Sequence, residues 1–75
     1  MKNEYLLNAL VMKLEGEAAM HEANITVYME NPVGIGEHPQ IIESIESEIA
    51  KLAEALEKID TINANFYAKA DRSEL

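Results

Sequence analysis

From Ile42 onward, apolar residues recur at alternating spacings of three and four: Ile42, Ile45, Ile49, Leu52, Leu56 and Ile59, followed by Asn63 and Phe66. Only a long helix gathers such a series onto one face, so this heptad-like seam leaves few folds open. Ile41, Ala53, Ala55 and Ile62 widen the stripe beyond a two-stranded seam, which favours a bundle over a bare coiled coil. Glu43, Glu46, Glu54, Glu57, Lys58 and Asp60 form the opposite, solvated face, with Glu54 and Lys58 one turn apart in the favourable orientation. Pro39 suits a first helical turn, where its missing N–H costs nothing, and Glu43 lies near the positive end of the helix dipole. These signals predict a helix from residue 39 to about 67.

A matching series runs through the first half: Leu7, Val11, Leu14, Ala18, His21, Ile25 and Tyr28, spaced four and three. Gly16 weakens a helix interior by about 1 kcal/mol relative to alanine without breaking the period, so residues 3 to 30 read as one helix with a weak point or a close helix contact at Gly16. Between the helices stands Asn31-Pro32-Val33-Gly34-Ile35-Gly36-Glu37-His38. Proline turns Asn31 away from helical geometry and two glycines permit positive φ, a strong stop and reversal. Val33 and Ile35 suggest that this loop tucks against the bundle end. Counting outward from it pairs Tyr28 with Ile42, Ile25 with Ile45, His21 with Ile49, Ala18 with Leu52, Leu14 with Leu56, Val11 with Ile59 and Leu7 with Asn63. Two independent seams that agree in length and phase predict an all-α antiparallel helical hairpin over residues 1–75, a single domain whose tail, 68–75, frays.

A two-helix chain of 75 residues buries little of itself and needs support from elsewhere. Disulfides are excluded by the absence of cysteine, and two histidines are a poor basis for structural zinc. Oligomerisation remains, most simply two hairpins dimerising into a four-helix bundle. The expected core and oligomer contacts are Leu7, Val11, Leu14, Ile25 and Tyr28 facing Ile42, Ile45, Ile49, Leu52, Leu56 and Ile59. Fourteen acidic residues against six basic ones give a net charge of −8, which disfavours direct binding to nucleic-acid phosphates or anionic membranes. The stretch Tyr5 to Met12 is interrupted by Asn8 and lacks a small-residue cleavage site after it. No run approaches the roughly 18 apolar residues of a membrane span. An intracellular, soluble protein is expected.

Catalytic and ligand-binding patterns are weak. Glu17, one turn before His21, and Glu22 beside it invite an acid–base or metal role, but di-iron bundles use Glu-x-x-His where this chain has Glu-x-x-x-His. The plainer reading is a seam-edge histidine bonded to Glu17 or to another chain. Gly34-Ile35-Gly36 lacks the lysine or preceding strand of a phosphate loop, and Glu37 places a negative charge there. Ser44, Ser47, Thr26, Thr61 and Ser73 have no histidine at helical spacing, so no nucleophile is assembled. No enzyme, cofactor or metal is expected. Met12, Met20 and Met29 read as core or partner surface, and Asn63 as a register-fixing polar residue in the seam.

The segment Asn31-Pro32-Val33-Gly34-Ile35-Gly36-Glu37-His38-Pro39, followed by an Ile- and Glu-rich helix, resembles short uncharacterised proteins encoded by marine tailed bacteriophages, over roughly residues 9 to 66. The resemblance implies a phage source, a place in the host cytoplasm or with the virion, and no catalytic residue. The expected function is a non-enzymatic structural or protein-interaction module that self-associates. An acidic adaptor or inhibitor of a basic nucleic-acid-binding protein is the alternative, and a metal-binding bundle using Glu17, His21 and Glu48 of symmetry-related chains comes last.

Overall fold

The computed structural model describes residues 4–31 and 38–67. Two antiparallel helices, α1 (Glu4–Glu30) and α2 (His38–Ile62), pack along their length, and a π-helical turn (Asn63–Tyr67) continues α2. The described residues contain no strand. At 1.5 Å per residue, the 27 residues of α1 make a helix of about 40 Å, and the molecule is correspondingly a rod of 54 × 17 × 14 Å. Glu4 places a carboxylate in the first turn of α1, where the helix dipole favours it, and the Asn31 N–H donates to the Val27 carbonyl at 2.8 Å to close the last turn. The expected loop conformation, with Val33 and Ile35 capping the bundle end, and the tail 68–75 lie outside the described residues.

On α1 the expected seam is the face that meets α2. Leu14 and Ala18 are buried, and Leu7, Val11, His21, Ile25 and Tyr28 are half-buried. On α2 the expected seam is turned. Ile45, Leu52 and Ile59 are half-buried as anticipated, but Ile42, Ile49 and Leu56 are 64%, 50% and 44% exposed. Ile41, Glu48, Ala55 and Ile62 face α1 in place of Ile42, Ile49, Leu56 and Asn63. With 3.6 residues per turn, the inward direction of α2 differs from the expected one by roughly 50°.

The reason is polar. His21 and Glu48 are hydrogen-bonded across the helix pair, so the register places His21 level with Glu48, one residue from the predicted Ile49. Counting by sevens from that pair sets Leu14 level with Ala55, Leu7 with Ile62 and Tyr28 with Ile41. A large residue then stands opposite a small one at the centre of the contact. With Ile49 in the place of Glu48, His21 would lack its acceptor, and a buried donor without one costs about 1–3 kcal/mol.

The C-terminal end departs from the α-helical phase. A π-turn carries more residues per turn, so each residue rotates less than in α2. Tyr67 thereby returns to the α1 side, half-buried, and its hydroxyl donates to Asn8 Oδ1 at 2.6 Å, while Phe66, expected in the seam, is exposed. The Asn65 amide donates to the Thr61 carbonyl at 2.8 Å within the same turn.

Candidate functional site

The only buried charged side chain among the described residues is Glu48, near the middle of the helix pair. One of its oxygens, Oε1, accepts from Asn24 Nδ2 at 2.9 Å and from His21 Nδ1 at 2.7 Å. α1 supplies both donors because positions 21 and 24 lie one turn apart on the face toward α2. The Asn24 amide, and then the His21 ring, hold the Glu48 carboxyl below its ordinary value of 4.5, against the opposing pull of burial. No buried side-chain polar atom among the described residues lacks a partner. The arrangement acts as a polar lock on register and on the rotation of α2.

Its chemistry is limited by its own completeness. Glu17, the expected companion of His21, binds Lys13 on the exposed flank of α1 instead, and that ammonium lowers the pKa of the Glu17 carboxyl. His21 pairs with Glu48, which corrects the expectation of a Glu17 or interchain partner. Among the described residues no group of three or more His, Asp or Glu side chains is placed to hold a metal ion. The Thr26 hydroxyl donates to the Glu22 carbonyl at 3.0 Å, an ordinary helix-surface bond. Asn24 had no distinguishing signal in the sequence. A histidine in an apolar seam calls for an acceptor opposite, a signal that could have found Glu48, although the seam count set Ile49 there.

Glu48 gives a direct pH prediction. A carboxyl whose pKa is depressed on folding contributes stability that is complete above its ordinary value and is lost as pH falls through the depressed one. The melting midpoint of the wild-type chain should therefore fall between about pH 5 and pH 3 more steeply than that of Glu48→Gln. Parallel pH profiles by circular dichroism would remove the lock from the account.

An open groove of about 560 Å³ lies along one side of the helix pair, with Leu10, Leu14 and Ile62 on its floor and Lys13, Glu17, Glu54 and Lys58 among its rim residues. Lys58 bonds Glu54 at 2.9 Å, and this carboxylate raises the lysine pKa. Each rim lysine is thus paired one turn along its own helix, leaving no free cation there to select a ligand.

The larger surface features are apolar. Ile42, Ile49 and Leu56 form an exposed line on α2 at spacings of seven, while α1 exposes Tyr5, Leu6, Met12, Met20, Val27 and Met29. Of the residues expected at core or oligomer contacts, the fold brings Leu7, Val11, Leu14, Ile25, Tyr28, Ile45, Leu52 and Ile59 into the helix contact and leaves Ile42, Ile49 and Leu56 outside it. The exposed surface totals 5730 Å², against about 4,600 Å² for a compact monomer of this mass. No described helix is long and apolar enough to cross a membrane. No family model, no curated protein and no solved structure matches the chain.

Proposed function

We propose that this protein is a non-enzymatic structural module that self-associates, with α2 as the contact. The observation that carries this reading is the line Ile42, Ile49, Leu56, which the hairpin leaves exposed next to its own seam. Ile42 and Leu56 stand seven residues either side of Ile49, so a two-fold axis at Ile49 pairs Ile42 of each copy with Leu56 of the other. The flank of α1 on that side carries the exposed Glu15 and Glu22, so the contact runs along α2 and does not straddle both helices. Two hairpins joined this way bring four helices together.

An acidic decoy for a basic protein has less support. Its carboxylates are spread over both helices and interleaved with Lys13, Lys51 and Lys58, two of which are already paired with glutamates. The likeness to small phage proteins would set a self-associating module in the virion or in host takeover.

Sedimentation equilibrium over a wide concentration range tests the reading. The expected result is a helical species of at least twice the 8.4 kDa chain mass that loses helix content on dilution. A chain that stays monomeric and fully helical at the highest concentration would overturn it.

A further inference from the structure

The outward side of α1 is unusual for a helix in so small a protein. Facing away from α2 it carries Tyr5, Met12, Met20 and Val27, all exposed and the first two 68% and 71% so, with Ala9, Gly16, Ala19 and Ala23 among them. A helix that is apolar on both sides belongs in the interior of something larger. Gly16 sharpens the point. A Cβ placed on it would meet nothing within 4 Å, so no contact inside the hairpin requires glycine there. Glycine weakens a helix interior relative to alanine, and its usual structural return is close approach by another backbone.

The outward face is nearly symmetric in sequence about Gly16, with Lys13 opposite Ala19 three residues away as the break. Methionines stand four residues away on each side (Met12, Met20), alanines seven away (Ala9, Ala23), and Tyr5 and Val27 eleven away. These steps keep all seven positions on one helical face. We infer that this face forms an antiparallel contact with the same face of a second copy, the two α1 helices crossing at Gly16. A two-fold axis through Gly16 sets Ala9 against Ala23 of the other copy, Met12 against Met20, and Tyr5 against Val27. Methionines flanking a glycine crossing fill the irregular space around it.

The chain has no cysteine, so disulfide trapping can be read without background. Ala9→Cys chains mixed with Ala23→Cys chains should form a mixed disulfide under mild oxidation, and neither variant alone should form much. A dominant Ala9→Cys homodisulfide would mean parallel helices and overturn the inference, as would the absence of any crosslink. Gly16→Ala gives a second readout: helix content should stay or rise, while association through α1 weakens on the order of tenfold. Association as strong as wild type would count against a glycine crossing. Ile49→Glu chains separate this contact from that of α2. They should remain dimeric through α1, and if they are wholly monomeric the α1 contact falls while the α2 reading stands.

Discussion

Leu14→Ala should remove about 2–5 kcal/mol from the stability of the helix pair, the range for truncating a buried leucine in a core that relaxes only partly. Leu14 is 3% exposed and stands level with Ala55, itself 3% exposed. The residue directly opposite, Ala55, is too small to move into the void. Small domains hold only a few kcal/mol in reserve, so most of the chain is expected to lose helical circular dichroism at temperatures where the wild type is folded. Leu6→Ala makes the control, since Leu6 is exposed and lies outside both proposed contacts, so its loss opens no cavity. Equal urea midpoints for Leu14→Ala and wild type would show that the helices do not pack as described.

Ile49→Glu is expected to break the α2 contact. In a two-fold contact centred on Ile49, each substitution acts twice, removing two isoleucines and bringing two carboxylates together. With half of each isoleucine already covered in the hairpin, losing about 0.8–1.5 kcal/mol of burial for each weakens the pair by about 1.5–3 kcal/mol, or roughly 10- to 150-fold in the dissociation constant. Since Ile49 is half exposed in the hairpin, the helix pair itself should survive at concentrations where wild-type and variant chains are both folded. Mixing Ile49→Glu with Ile49→Lys chains should restore association, because position 49 meets its own copy. A mixture no heavier than the separate variants would place the contact elsewhere.

Much of this architecture is legible in the sequence, because a helix repeats every 3.6 residues whatever it packs against. The α1 seam from Leu7 to Tyr28, the stop at Asn31-Pro32 and the length of α2 each follow from local signals that agree with one another. The rotation of α2 does not follow in the same way. Its apolar stripe spans Ile41 to Ile62 on one flank and Ile42 to Leu56 on the other, wider than one neighbouring helix can cover. Hydropathy favours the bulkier flank inward, and the structure takes the other.

The polar lock that decides between them joins residues 27 and 24 positions apart, so no window of local sequence contains it. The π-turn is hidden for a related reason: nothing local in Asn63 to Tyr67 marks a wider winding, whose consequence is the Tyr67 bond to Asn8, 59 residues earlier. Gly16 was visible as a weak point or close contact, but the sequence alone did not say on which side of α1 it lies relative to its partner.

The sequence by itself determined that two long helices form, where they reverse, and which face of α1 turns inward, since these rest on periodicity and on the backbone preferences of proline and glycine. Only the tertiary structure decided which flank of α2 packs within the hairpin and which is left exposed. A buried carboxylate must find its donors across the helix pair, and satisfying Glu48 with His21 and Asn24 leaves Ile42, Ile49 and Leu56 facing outward.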